Sequence, residues 1–141
     1  MTFAIVVARF YEHLADRLVG GAQTAFAEAG AGEADVFQVP GAFELPLAAQ
    51  LAAQTGRYDG VACLGAVIRG ETDHYDYVCT EAARGIQDVQ LSTGVPCAFG
   101  VLTVDTMDQA LERSGGGKRD SGRLASDAVL ALARLRQQLR A

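Results

Sequence analysis

The stretch GVACLGAVIRGETDH, residues 60–74, decides the fold. Its first nine residues are apolar or glycine, with no alternate polar position to face water. Such a run reads as a strand buried on both faces, which is the condition of a parallel sheet covered by helices. It breaks at once into Arg69, Gly70, Glu71, Thr72, Asp73 and His74, and a helical pattern follows over about 73–92. Tyr75, Val78, Ala82, Ile86 and Val89 form one stripe of that helix.

The same alternation extends in both directions. Upstream, FAIVVA (3–8) reads as a buried strand, and the helix after it carries Leu14, Leu18, Ala22, Ala25 and Phe26 at helical spacing until Gly30 stops it. ADVFQV (34–39) is a second strand, closed by Pro40-Gly41. Pro46 suits the first turn of the next helix, which runs to Gly56. Downstream, PCAFGVLTV (96–104) is the fourth strand, and Thr106 with Gln109 forms a capping box that opens a short helix. SGGGKRDSG (114–122) is expected to be the most flexible stretch. The last helix, about 121–140, is expected to turn Leu124, Ala128, Leu132, Leu135 and Leu139 inward. Strands alternating with helices imply right-handed crossovers and a three-layer α/β/α sandwich on a four-stranded parallel sheet. The 141 residues suit one domain, 1–141, without internal repeats.

Composition narrows the function classes. Half the residues are hydrophobic, 21% are charged and the net charge is −5, with no basic block, which argues against nucleic acid. The apolar runs are too short to span a bilayer, and the chain enters a strand too early for a signal peptide. A cytoplasmic protein that engages no membrane is expected. Cys63, Cys79 and Cys97 lack metal-like spacing and read as reduced thiols; no metal site is expected.

Ligands of such sheets bind outside the carboxyl ends of the strands, and the polar turns fall there. If the strand order is 2-1-3-4, Phe10 and the 69–74 turn are neighbours at the switch point. Gly70 lets a ligand approach the backbone amides that open the third helix, an anion-binding arrangement; an ordinary Thr/Asp cap is the plainer reading. His74 is placed for acid–base work near neutral pH, whereas His13 reads as a surface residue. Glu44, in VPGAFELP (39–46), reads either as an acceptor for polyol hydroxyls or as an acid favoured at a helix start. Phe10 is either a platform for a flat ring or an apolar staple for the first helix. Arg69 is expected to pair with a carboxylate. Arg113, just before the glycine run, either clamps a phosphate or closes a helix C-terminus. Together these groups suit a phosphorylated substrate meeting a planar, polyol-bearing one.

ARFYEHLADRLVGGA, VPGAFELP, LGAVIRGETDHYDYV and GVLTVDTMDQALERSG resemble, in order and over nearly the whole chain, the 6,7-dimethyl-8-ribityllumazine synthase family of riboflavin biosynthesis. The resemblance implies a flavodoxin-like fold, no cofactor and a transferase. The reaction it implies joins 5-amino-6-(D-ribitylamino)uracil to 3,4-dihydroxy-2-butanone 4-phosphate, releasing phosphate and water. It also implies a homopentamer with active sites between subunits. A sixty-subunit shell of twelve pentamers is the alternative assembly, and riboflavin synthase is the implied protein partner. In this chain Phe10 would stack on the pyrimidine, and Val67 and Ile68 would flank it. Ala42, Phe43 and Glu44 would bind the ribityl chain. Gly70, Glu71 and Thr72 would hold phosphate, with His74 as acid–base. Phe99 and Arg113 would come from the neighbouring subunit, facing the pyrimidine and the phosphate. Many family members carry a two-lysine glycine-rich run after the arginine. Here GGGKRDSG (115–122) stands in its place, and Lys118, Arg119 and Arg123 are the candidates for the missing charge. A catalytically silent, flavin-binding relative and a scaffold subunit are the competing readings.

Overall fold

The computed structural model describes residues 1–115 and 117–140. Four parallel strands, β1 (Phe3–Ala8), β2 (Asp35–Val39), β3 (Gly60–Ile68) and β4 (Cys97–Val104), lie in the order β2-β1-β3-β4. Five α-helices connect them: α1 (Glu12–Glu28), α2 (Leu45–Gln54), α3 (His74–Thr93), α4 (Met107–Glu112) and α5 (Ser121–Arg140). A single 3-10 turn, Ala42–Glu44, leads into α2. This is the expected three-layer, flavodoxin-like architecture, with element ends within a residue or two of the sequence reading.

Side-chain alternation along the two central strands builds two cores. Phe3, Ile5, Val7, Ala62 and Leu64 pack under α1 and α5, where Phe3 and Phe26 stack at 4.7 Å. Ala4, Val6, Val61 and Cys63 pack under α2 and α3, against Leu45, Ala82 and Ile86. Every residue of β1 is buried, and each such aliphatic side chain contributes roughly 1.5–3 kcal/mol. Cys63 and Cys97 are buried reduced thiols, and Cys79 is half-buried. Burial pushes the Cys63 thiol well up and the Cys97 thiol to about 12, so both stay protonated at neutral pH.

The last helix corrects one expectation. Leu124, Leu132, Leu135 and Leu139 are exposed, the last at 77%, and Ala128 is exposed with them. The buried face is instead Gly122, Ala125, Ser126, Val129, Leu130 and Ala133. Backbone proximity explains the choice. A Cβ at Gly122 would lie 2.0 Å from the Leu18 carbonyl oxygen, and Ser126 Oγ donates to the Ala22 carbonyl at 3.1 Å. Glycine and serine allow the first turns of α5 to lie against the α1 backbone, so this face turns inward and the stripe of Leu124, Leu132 and Leu135 outward. The two edge strands also differ from fully covered ones: β2 is exposed over Asp35–Gln38, and β4 exposes Phe99 and Thr103.

The 114–122 stretch, expected to be mobile, is tied at its flanks. Ser114 and Asp120 form an antiparallel bridge. The amides of Gly115, Arg119 and Ser121 bond to the carbonyls of Arg119, Glu112 and Arg113 at 2.9–3.1 Å. Arg17 of α1 adds two side-chain bonds of 2.8 Å, to Ser114 Oγ and the Leu111 carbonyl. Gly116, part of that stretch, lies outside the described residues.

Candidate functional site

Two concavities lie at the carboxyl ends of the strands and along the β4 edge. The first, a cleft of about 360 Å³, gathers Phe10 and Tyr11 after β1, Pro40 to Glu44 after β2, Ala66 to Ile68 at the end of β3, and His74 and Val78 of α3. Seven residues singled out in the sequence therefore meet there: Phe10, Ala42, Phe43, Glu44, Val67, Ile68 and His74. Parallel pairing of β1 with both β2 and β3 makes this the switch point, so three strand ends open onto one rim.

Phe10 is 74% exposed and lies edge-on to Tyr11 at 4.9 Å, so one face of the ring is open and no staple buries it. Glu44 Oε1 accepts the Gly41 amide at 2.9 Å and fixes its own turn, while its second oxygen has no protein partner among the described residues. The bond to Gly41 accounts for Glu44 as a turn-forming acid at the helix entry, and the second oxygen faces the cleft. Phe43 is 58% exposed beside it. Tyr11, Ala66 and Val78 complete the wall and were not singled out from the sequence. Val78 lay in plain view on the buried stripe of α3, and its place near the helix start was the available signal.

Gly70, Glu71 and Thr72 form the turn that precedes α3. Asp73 occupies the cap position, but its carboxylate makes no capping bond; Thr72 Oγ accepts the His74 amide at a long 3.3 Å. The Asp76 and Tyr77 amides bond back to the Asp73 carbonyl, so the amides left without a partner among the described residues are those of the 70–73 turn and of Tyr75, the condition for holding an anion. A Cβ at Gly70 would meet nothing within 4 Å, so the glycine faces open space rather than a packing neighbour. Arg69 pairs with carboxylates as expected, with Nε 2.9 Å from Asp105 Oδ1.

Phe99 and Arg113 lie elsewhere. They line a groove of about 430 Å³ between α3, the open edge of β4 and α5, together with Leu124, Ala128 and Leu132. Of the three cations that follow, Arg123 is engaged with Glu28, and Lys118 is 81% exposed at 3.8 Å from Glu112. Arg119 alone of the three joins Arg113 in lining the groove. Among the described residues no three His, Cys, Asp or Glu side chains gather to hold a metal ion, and no helix is long and apolar enough to cross a membrane.

The family model for 6,7-dimethyl-8-ribityllumazine synthase matches residues 1–137. The chain belongs to the 6,7-dimethyl-8-ribityllumazine synthase family. It is similar to the synthase of Deinococcus radiodurans, at 52% identity over 94% of this chain and 84% of the relative. The synthase of Salinibacter ruber is 49% identical over 97% and 89%. That of Desulfatibacillum aliphaticivorans is 46% identical over 98% and 90%. A lumazine synthase needs room for two substrates, and the cleft and groove differ in the chemistry they offer.

Proposed function

We propose that the cleft of one protomer and the β4 groove of a neighbouring copy meet to form the active site of this lumazine synthase. Family membership makes the chain a transferase of riboflavin biosynthesis that forms 6,7-dimethyl-8-ribityllumazine from the ribitylaminouracil and the butanone phosphate. The relatives give no support to a silent flavin-binding protein. The observation that carries the two-protomer reading is the separation itself. The aromatic platform, acid and imidazole share the cleft, whereas Phe99 and the arginines line a different surface of the same chain.

In this reading Phe10 stacks on the pyrimidine, Val67 and Ile68 bound its edge, and the neighbour's Phe99 closes the other side. The turn at Ala42–Glu44 receives the ribityl hydroxyls, with the free oxygen of Glu44 as acceptor. The amides at Gly70, Glu71 and Thr72 hold the phosphate, and the neighbour's Arg113 approaches it with a guanidinium fork. Arg119 takes the role of the missing lysine beside Arg113. The 5-amino nitrogen attacks the butanone carbonyl; the carbinolamine loses water to give an imine. The hydroxyl-bearing carbon beside the imine loses its proton as phosphate leaves with its bonding electrons, and the resulting enol tautomerises to a ketone. The ribitylamino nitrogen then closes the second ring, and water departs. His74 carries protons between these nitrogen and oxygen atoms. Holding two substrates in register supplies much of the acceleration, and the cations and amides stabilise the departing phosphate.

The assembly consistent with this is the head-to-tail homopentamer that the resemblance implies, in the cytoplasm, built from one-domain protomers. Unlike faces at opposite sheet edges support a ring: exposed Val36, Phe37, Leu47 and Leu51 beside β2, and Phe99, Leu124, Leu132 and Leu135 beside β4 and on α5. Twelve such pentamers closing into a shell, and riboflavin synthase as a partner, are the further expectations.

Co-assembly tests the split site. Protomers carrying Phe10→Ala with His74→Ala lack a working cleft, and Arg113→Ala protomers lack a working groove. Equal co-expression of the two should restore activity to about a quarter of wild type if unlike protomers build each site. Mixed rings no more active than either parent would refute it.

A further inference from the structure

An arginine beside an anion-binding turn invites assignment as a phosphate ligand, yet the surroundings of Arg69 point elsewhere. Between the end of β3 and the start of α3, residues 70–73 make no hydrogen bond to β4, α4 or any other distant element among the described residues. The shape of this turn is therefore set at its two ends, and both ends converge on one residue, through its backbone amide at the entrance and its side chain at the exit. At the entrance, the Arg69 amide donates to the Val104 carbonyl at 2.9 Å, which pins the turn to β4. At the exit, the Arg69 guanidinium lies 4.2 Å from the ring centre of Tyr75, and one terminal nitrogen is 3.7 Å from Asp76 Oδ1. Tyr75 and Asp76 are the two residues that follow His74. The Nε atom meanwhile donates to Asp105 Oδ1 at 2.9 Å, just beyond β4. The Asp105 amide is itself fixed by Gln109 Oε1 at 2.7 Å, so the far anchor is rigid.

We infer that Arg69 is a positioning residue: it staples the first turn of α3 to the end of β4 and thereby sets the 70–72 amides and His74, without touching substrate. The inference rests on the assignment of that turn to the substrate phosphate. The cleft wall passes from Ile68 to His74 and includes neither Arg69 nor the 70–72 turn, so the engagement of the guanidinium is what sets Arg69 apart. Two carboxylates already face its guanidinium, Asp105 at Nε and Asp76 at 3.7 Å from a terminal nitrogen, so a phosphate approaching it meets two like charges. Arg69 also neutralises these two acids next to a site for an anion. A lysine supplies the charge but neither the fork that meets Asp105 nor the plane that covers Tyr75.

The test uses the assembled full-length enzyme and steady-state kinetics with each substrate varied in turn. Arg69→Ala should raise KM for the butanone phosphate by about tenfold and leave KM for the ribitylaminouracil nearly unchanged. Arg69→Lys should recover part of that loss. A purely structural role would lower kcat and the melting temperature and move neither KM, and that result would overturn the inference, as would equal shifts in both KM values. If Arg69→Ala does not fold, the same split is read from Arg69→Lys, and an unchanged KM for the phosphate there overturns it. Gly70→Ala, whose added methyl meets open space, separates the two claims. If it raises KM for the phosphate while the Arg69 variants do not, only the staple falls. If neither does, the turn is not the phosphate site and both assignments fall.

Discussion

The cleft and the β4 groove share one sheet but are built on opposite principles. The cleft is assembled within the chain: three strand ends, their turns and the first turn of α3 meet because parallel pairing forces them to. The groove is what the chain leaves unfinished. It has an open strand edge, outward leucines on α5 and two arginines without a carboxylate between them in its wall. The cleft offers a ring, an acid and an imidazole; the groove offers a ring and cationic charge. Each surface thus holds what the other lacks, and on that difference the proposal of a site shared between two protomers rests.

The comparison breaks most completely if the groove is spoiled as a docking face. Leu124→Glu with Leu132→Glu puts two carboxylates on the outward stripe of α5. Light scattering should then show the assembly reduced to protomers, with lumazine formation falling to background because no cleft is completed. Retained assembly with full activity would mean the stripe is not an interface. Next in size, Arg113→Ala should lower turnover by on the order of 10³ with the fold intact, since it removes a charge-stabilising group for the departing phosphate. His74→Ala should cost less, about 10², because both substrates stay positioned. The reverse ranking, read from initial rates, would shift the chemical burden from the groove to the cleft. The smallest effect concerns the two helix starts on the rim. Unlike α3, α4 is capped: Thr106 Oγ1 accepts the Gln109 amide at 3.1 Å. Thr106→Ala should lower stability by about 1 kcal/mol, a fall of roughly 3 °C in Tm by calorimetry. No change would show that the cap is idle.

Much of this was legible in the sequence for physical reasons that also mark the limits. The nine-residue run of β3 has no polar alternate, so burial on both faces and hence parallel pairing followed. All five residues named on the α1 stripe are buried, with Ala15 added to them, because one apolar face dominates there. Helix α5 carries two, and hydrophobicity favours the leucines. What decides is a backbone approach to α1, which no periodicity records. The Thr106–Gln109 box was read correctly at the cap, yet the Gln109 side chain reaches one residue further back, to the Asp105 amide. For Arg69 the pairing with an acid was foreseeable, but not that its partners come from both sides of the turn. Phe99 has the signature of an ordinary buried strand residue. Its 40% exposure depends on β4 being an edge, a property of strand order rather than of local pattern.

Gly122 has a reach beyond its own helix. With a hydrogen in place of a side chain, α5 settles against the Leu18 carbonyl and its leucines stay on the outer surface. A methyl there would lift the helix from α1 by its first turn and tilt that row of leucines. In the proposed ring the seam between copies would fall out of step before the protomer itself unravelled, so one missing carbon atom would reach as far as the contact between protomers.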